Sequence, residues 1–138
     1  MIWFFLIVYF RERDLYTCFV MKPLPSLDLY SWISTYMLVG TAKECESVGQ
    51  AGTDHADLIQ SVISELCTAV SQKEGIEFAE GTLERLVAYT DVVKDFPCGV
   101  KEFEWRNEYF YKLGDEVCPI HNGLLRECQE KGFLGFEL

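Results

Sequence analysis

The sequence predicts an all-α fold, and three observations lead to that prediction. From Leu29 onward, apolar residues recur at intervals of three and four, as they do along one face of a helix. Over the same region, the alternation typical of strands is nearly absent, and no β-α-β order indicates a parallel sheet. Apolar residues make up 49% of the 138 residues, which is enough for one packed domain. We therefore expect a bundle of about five helices over residues 29–138.

Residues 1–28 differ from the rest and are predicted to form a separate N-terminal segment. The apolar run IWFFLIVYF has about half of the ~20 residues that span a bilayer, and no basic residue precedes it as in a signal peptide. We expect a buried or partner-covered strand; a remnant of a longer protein and a membrane anchor are the alternatives. Pro23 and Pro25 then favour an extended linker, so the boundary is placed near Asp28.

The first two helices are predicted from their apolar patterns. LYSWISTYMLVGTAKE is apolar nearly all round, which indicates a central buried helix with a break near Gly40, and SVGQAGT is predicted to be a loop. DHADLIQSVISELCTAVSQKEG has the clearest helical period. Thr53 or Asp54 is expected to cap its start, and Gly75 to end it. The residues expected to face inward are Leu58, Ile59, Val62, Ile63, Leu66 and Val70.

Three further segments complete the predicted bundle. EGTLERLVAYTDVVKD repeats the helical pattern, and FPCG interrupts it. KEFEWRNEYFYKLG predicts a single helix over about 100–113, with Gly114 just beyond its end. CPIHNGLLRECQEKG predicts a short helix capped near Asn122 and stopped at Gly132. The inward-facing residues of the first and last of these are expected to be Leu83, Leu86, Val87, Thr90, Val93, Leu124, Leu125 and Cys128.

Charge and cysteine content exclude some partners. The net charge of −10 argues against a nucleic-acid partner, because binding phosphates requires a basic face. The six cysteines include no C-x-x-C pair, so a zinc site is poorly supported. We favour reduced, mostly buried thiols in a cytoplasmic protein over disulfides. A membrane is not expected to be a partner.

Several common enzyme motifs are absent from the sequence. The two histidines, His55 and His121, lie outside any H-E-x-x-H motif, and each is expected to be a surface or cap residue. No serine lies in a G-x-S-x-G motif. Neither a G-x-G-x-x-G loop nor a Walker loop is found, so the chain by itself has no means of cradling a nucleotide's phosphates.

The stretch KEFEWRNEYFYKLG concentrates polar groups among aromatic rings. On a helix, Glu102 and Arg106 are neighbours one turn apart and can pair. Asn107 shares a stripe with Phe103 and Phe110, and an amide between rings is costly unless it finds hydrogen-bond partners. Two interpretations stay open: a buried asparagine that bridges to a neighbouring loop, or an asparagine and a glutamate presented to a polar ligand at a cleft.

This same stretch and its continuation resemble a known family. KEFEWRNEYFYKLGDEVCPIHNGLL is similar to the C-terminal signature of the ketopantoate reductases, the NADPH-dependent 2-dehydropantoate 2-reductases, in which T-E-I-D-x-x-N-G precedes G-x-x-x-P-x-N/H-x-x-L. Upstream, Thr41-Ala42, Val48-Gly49 and Gly75-Ile76 resemble further family elements in the same order. The resemblance implies the family's helical C-terminal domain, of the 6-phosphogluconate dehydrogenase C-terminal type. In the family, that domain follows a Rossmann domain that binds NADPH.

The resemblance also implies site residues. The family's substrate-binding glutamate falls on Glu102, and the motif asparagine falls on Asn107. Cys98 or Gly99 stands where the family has a substrate-contacting serine. The motif glycine is replaced by Glu108, which adds bulk and charge beside the site.

The family's proton donor is not retained. Its lysine, a general acid toward the keto oxygen, falls near Tyr30, and an asparagine one turn later falls near Ser34. Reduction of a ketone builds an alkoxide that needs such a donor or a cation. We therefore expect no catalytic residue in this chain.

The function implied is that of a substrate-binding and dimerisation domain of a ketopantoate-reductase-like oxidoreductase, without the Rossmann domain and inactive alone. No cofactor is expected to bind this chain by itself, since NADPH belongs to the family's other domain. The implied partners are a second copy or a separate Rossmann domain, with a 2-keto acid as the substrate. The alternative is a non-catalytic helical interaction or oligomerisation module.

Overall fold

The computed structural model describes residues 35–75, 77–78 and 80–138, and this part of the chain is helical with no strand. The all-α prediction is therefore confirmed for the described residues. Outside the helices, Ser47 and Pro97 form one antiparallel bridge. The predicted boundary near Asp28 and the family positions Tyr30 and Ser34 lie outside the described residues. The helices are α1 over 35–42, α2 (Val48–Asp54), α3 (Ala56–Glu74), α4 (Thr82–Val92), α5 (Phe103–Arg106), α6 (Glu108–Lys112) and α7 (Pro119–Glu130).

Helix α3 follows its apolar period closely. Five of the six residues predicted to face inward are buried, and the sixth, Leu58, is half-buried against the core. The helix ends as predicted at Gly75, whose φ of 65° is left-handed and whose N–H donates to the Ser71 carbonyl. The predicted cap at Thr53 or Asp54 is wrong, because both residues belong to α2 and His55 takes the N-cap position of α3.

Helix α2 replaces the predicted loop SVGQAGT. Ser47 caps its start by accepting a hydrogen bond from the Gln50 N–H at 3.2 Å, and the Gln50 side chain accepts from the Glu46 N–H at 2.8 Å. A serine followed three residues later by glutamine is a capping-box signal, so the sequence contained the information that predicts this helix start. The two glycines inside the helix made the segment resemble a loop.

Gly40 does not break α1, which continues to residue 42. A Cβ atom at position 40 would overlap the Cys98 sulfur. The glycine therefore serves close packing rather than helix termination, since its missing side chain makes room for Cys98.

Backbone hydrogen bonds join the start of α2 to the segment just before Cys98. The N–H of Val48 donates to the Phe96 carbonyl at 2.9 Å, and the N–H of Gly49 donates to the Lys94 carbonyl at 2.8 Å. A Cβ at Gly49 would lie 3.0 Å from the Lys94 Cβ, which is tighter than ordinary contact. These bonds use backbone donors that lack partners within the helix, and they anchor the chain just before residues 99–101.

The N-terminus of helix α7 is capped by a side chain from α3. Glu65 accepts hydrogen bonds from the backbone N–H groups of Ile120 and His121, both at 2.9 Å. Pro119 occupies the first turn, where its missing N–H costs nothing. The predicted cap near Asn122 is wrong because Asn122 lies inside the helix. The predicted stop at Gly132 agrees with its left-handed φ of 73°.

The core lies between α1, α3 and α7, with α4 and α6 against it. Val87 was predicted to face inward and is instead 44% exposed, so that prediction is wrong. At one end, Lys131 of the α7 terminus donates to the Ala42 carbonyl at 2.6 Å, and Lys43 pairs with Glu127 at 2.8 Å. The buried apolar residues are Tyr36, Met37, Leu38, Val39, Ala42, Cys45, Val48, Ala51, Ile59, Val62, Ile63, Leu66, Ala69, Val70, Leu86, Val93, Phe110, Cys118, Leu124, Leu125 and Cys128.

The described cysteines lie in the core or pack against it. Cys45, Cys98, Cys118 and Cys128 are free. Burial raises the pKa of Cys118 to about 12 and that of Cys128 to about 11, so both are protonated at neutral pH. Among the residues that the structure describes, no helix has the length and apolarity needed to cross a membrane.

Candidate functional site

The helix predicted over 100–113 is two short helices that meet at Asn107. The break occurs where the Asn107 backbone adopts φ −120° and ψ −28°. The N–H of Asn107 still donates to the Phe103 carbonyl, and its own carbonyl accepts from the Tyr111 N–H, both at 2.9 Å. The first helix starts late because Glu102 has a left-handed backbone, with φ 51°. Gly114 lies just beyond the second helix as predicted, with φ 86°.

The break at Asn107 accompanies a buried polar network that reaches α7. Asn107 is 2% exposed, and its Oδ1 lies 3.1 Å from Nε2 of His121. On the other side of the ring, Nδ1 lies 2.9 Å from Oδ1 of Asn122. The Asn122 amide nitrogen donates to Oδ1 of Asp115 at 3.1 Å and to the Tyr111 carbonyl at 3.4 Å. These contacts link residues up to 14 positions apart.

His121 lies in the interior, which overturns the prediction of a surface or cap residue. It is 1% exposed, and its ring contacts the Phe110 ring edge-on with centroids 5.6 Å apart. Burial lowers the pKa of His121 to about 4, although the hydrogen bond with Asn122 acts in the opposite direction. The imidazole is therefore neutral at physiological pH. His55 does fit its prediction, since it is the N-cap residue of α3.

The network ends at the surface in an ion pair. Nη2 of Arg126 lies 2.9 Å from Oδ2 of Asp115, and Nη1 donates to the other oxygen at 3.0 Å. The hydrogen bonds from Arg126 and then from Asn122 lower the pKa of the Asp115 carboxyl. Asp115 thus stays ionised and accepts from Asn122 at neutral pH.

A shallow depression lies over Asn107. Its empty volume, part of which is open solvent, is about 150 Å³. Two cationic side chains contribute to its wall, and Arg106 also approaches the Met37 sulfur at 3.9 Å. The depression encloses no space that would hold even a water molecule, so it is a feature of the surface and does not by itself enclose a ligand. Its lining consists of Met37, Gly99, Val100, Lys101, Arg106 and Asn107.

The three residues predicted as substrate contacts occupy different places. Asn107 lines the depression, whereas Glu102 and Cys98 are not among the lining residues. The Glu102 side chain is 56% exposed and forms the predicted pair with Arg106, Oε2 to Nη2 at 2.6 Å. The Arg106 side chain is only 21% exposed. The depression therefore adds Lys101 and Arg106 to the candidate site.

Cys98 is half-buried beside Gly40. Burial, and then the charge of Cys45, raises the pKa of Cys98 to about 11. Its sulfur is therefore a thiol at neutral pH, which is a weak hydrogen-bond donor and a poor nucleophile.

No protein-family model, characterised protein or solved structure matches this chain. Within the described ranges, no group of three or more histidine, cysteine, aspartate and glutamate side chains is arranged to hold a metal ion. The candidate site therefore rests on the geometry around Asn107 and on the sequence resemblance.

Proposed function

We propose that this chain is the substrate-side helical domain of a ketopantoate-reductase-like, NADPH-dependent oxidoreductase. The observation that carries the proposal is the buried amide of Asn107 beneath a depression walled by Lys101 and Arg106. The motif order around Glu102 and Asn107 supports it. The two cations suit an oxygen-rich anion such as the carboxylate of a 2-keto acid.

The domain has no reductase activity by itself in this proposal. The sequence contains no loop able to cradle the phosphates of NADPH, and Cys98 does not line the depression. The small volume of the depression supports the same conclusion, since a second wall is needed to enclose a substrate. A Rossmann domain, on the same polypeptide or another, supplies that wall and the cofactor.

Titration with 2-dehydropantoate, followed by amide chemical shifts in NMR, tests the proposal. We expect saturable shifts at Lys101, Arg106 and Asn107, with weak, millimolar affinity because one wall is missing. Arg106→Gln should weaken binding at least tenfold. Lys112→Gln, a charge-matched change on an exposed lysine paired with Glu108, should leave it unchanged. Absence of shifts at the depression, or equal losses in both variants, would overturn the proposal.

The second candidate function is an oligomerisation module that pairs with another copy of this chain. Large apolar side chains at the surface favour it: Trp105 is 81% exposed, Val92 66% and Phe96 53%. Exposed aromatic side chains of this kind are enriched at interfaces. Light scattering should give the mass of a dimer, and Trp105→Glu should shift it toward the monomer. A monomer at all concentrations would exclude this candidate.

A further inference from the structure

The orientation of the Asn122 amide is fixed by two groups that only accept hydrogen bonds. Its nitrogen donates to the Asp115 carboxylate at 3.1 Å and to the Tyr111 carbonyl at 3.4 Å. Turning the amide by half a rotation would place its oxygen against both of these oxygens. Burial makes that arrangement costly, because the amide and carbonyl groups would lose their partners. The oxygen of Asn122 therefore faces His121.

The fixed amide determines where His121 carries its proton. Nδ1 lies 2.9 Å from the Asn122 oxygen, so it must be a donor. A neutral imidazole has a single N–H, and the buried ring is neutral at physiological pH. Nε2 then has a lone pair and no proton. The two nearby carboxylates do not bond to the ring: Glu65 accepts from backbone N–H groups, and Asp115 is engaged by Asn122 and Arg126.

The lone pair on Nε2 in turn determines which end of the Asn107 amide faces His121. Because Nδ1 already carries a proton, an Asn107 oxygen that faces Nε2 at 3.1 Å can accept a hydrogen bond only if Nε2 is protonated too, which makes the imidazole a cation. With the neutral ring, a half-turn of the amide brings its nitrogen to Nε2 and restores a hydrogen bond at little cost in shape. The opposite end of the Asn107 amide has no hydrogen-bond partner among the described residues, and Asn107 lines the depression.

We infer that His121 is a positioning residue which, held as the Nδ1–H tautomer by Asn122, turns the carbonyl oxygen of Asn107 toward the depression. The depression then presents a hydrogen-bond acceptor between two cations, Lys101 and Arg106. A ligand that fits carries an anionic group for the two cations and an O–H or N–H donor within reach of the Asn107 oxygen, as the carboxylate and the 4-hydroxyl group of 2-dehydropantoate do. The role in ligand binding rests on the proposed function, whereas the tautomer and the amide orientation are properties of the free protein.

NMR of protein labelled with ¹⁵N-histidine tests the tautomer directly. The chain has only two histidines, so His55→Asn assigns the His121 signals. At neutral pH we expect Nδ1 to show the protonated shift and Nε2 the unprotonated one. A dominant Nε2–H tautomer, or a cationic ring, would overturn the inference. A merely space-filling histidine would have no reason to favour the Nδ1–H form, which is the minor form of free imidazole side chains.

Two variants of matched shape identify which asparagine sets the tautomer. Asn107→Leu should leave the Nδ1–H tautomer of His121 unchanged, whereas Asn122→Leu should shift the population toward Nε2–H. The reverse pattern would overturn the inference. If Asn122→Leu does not fold, the wild-type protein and Asn107→Leu still decide the matter. A correct tautomer without 2-dehydropantoate binding would sink the proposed function alone, and binding with the wrong tautomer would sink this inference alone.

Discussion

Helix α3 and the segment from Phe103 to Lys112 show two ways in which a sequence specifies backbone. Helix α3 runs unbroken for 19 residues, and its apolar side chains lie on one stripe against the core. The later segment has a comparable supply of apolar residues but forms two helices of four and five residues. The difference lies in what each region must satisfy: α3 buries hydrocarbon, whereas the later segment also buries the amide of Asn107.

Burial of hydrocarbon has no direction, so α3 can follow its period without interruption. An amide in the interior needs partners at fixed positions. The chain meets that need by breaking the helix at Asn107 and placing His121 of α7 within 3.1 Å. The comparison predicts that loss of side-chain volume in α3 lowers the stability of the fold. Around the broken helix, loss of hydrogen bonds or protonation of His121 should lower it.

The largest effect is expected from truncation in α3. Leu66 is 2% exposed, and Leu66→Ala should lower the free energy of unfolding by about 2–5 kcal/mol through lost transfer energy and a residual cavity. Urea denaturation followed by circular dichroism measures the change. Ser64→Ala, on the exposed face of the same helix, should change it by no more than about 0.5 kcal/mol. Equal losses in both variants would contradict the assigned face.

The second effect is pH dependence arising from His121. Its folded pKa of about 4 lies below the ordinary 6.5, so the unfolded chain binds more protons between these values. Stability should therefore fall as the pH drops from about 6.5 to 4, by on the order of 3 kcal/mol, and this contribution should not change further below pH 4. Denaturation midpoints across this range measure it.

The control for that pH dependence compares the two histidines. His121→Gln should remove most of the slope between pH 6.5 and 4, whereas His55→Gln should retain it. The lowered pKa of the Asp115 and Glu127 carboxyls acts at lower pH, because stability from these groups is lost only as the pH falls through their folded pKa. A slope that survives in His121→Gln would show that another group titrates in this window.

The third effect is the loss of the Asn107 amide. Asn107→Leu keeps the volume nearly constant but leaves a ring nitrogen of His121 without a partner, which should cost about 1–3 kcal/mol. Thermal unfolding measures the loss. Glu104→Gln, on the exposed side of the same short helix, should be close to neutral. A stabilised Asn107→Leu variant would mean that the polar network costs more than it contributes.

The smallest effect concerns the end of α3. Gly75 has a φ of 65°, and a Cβ atom added there would have no neighbour within 4 Å. Gly75→Ala should therefore lower the free energy of unfolding by about 1 kcal/mol through backbone strain alone. Gly123, inside α7 and equally free of neighbours, provides a matched control. Gly123→Ala should stabilise by a similar amount, since alanine is the better helix former. The same sign in both variants would contradict the left-handed end.

Local signals explain which predictions were confirmed. The end of α3 at Gly75 and the end of α7 before Gly132 each depend on a left-handed backbone conformation that glycine adopts most easily, so both follow from the sequence. The start of α2 also had a local signal, the Ser47–Gln50 box, which two glycines obscured. The start of α7 had none, because its cap is Glu65, a residue 55 positions away.

The candidate site divides in the same way. Its composition is visible in the sequence, where Glu102, Arg106 and Asn107 stand within one short stretch. Its wall is not, because Met37 and Gly99 reach it only through the packing of α1 against the segment that α2 anchors. Glu102 and Cys98 are adjacent to lining residues along the chain, but the same packing leaves both of them outside the lining of the depression.

The sequence by itself determined the all-α class, the buried stripe of α3 and the glycines that end α3 and α7, because each depends on residues within a few turns of one another. Only the tertiary structure decided that the helix breaks at Asn107 and that His121 is buried, neutral and bonded to two asparagines. The physical reason is that a hydrogen bond between buried groups requires both partners at a defined distance and angle. That geometry is created when α7 packs against α3 and α6, and no local pattern in the chain encodes it.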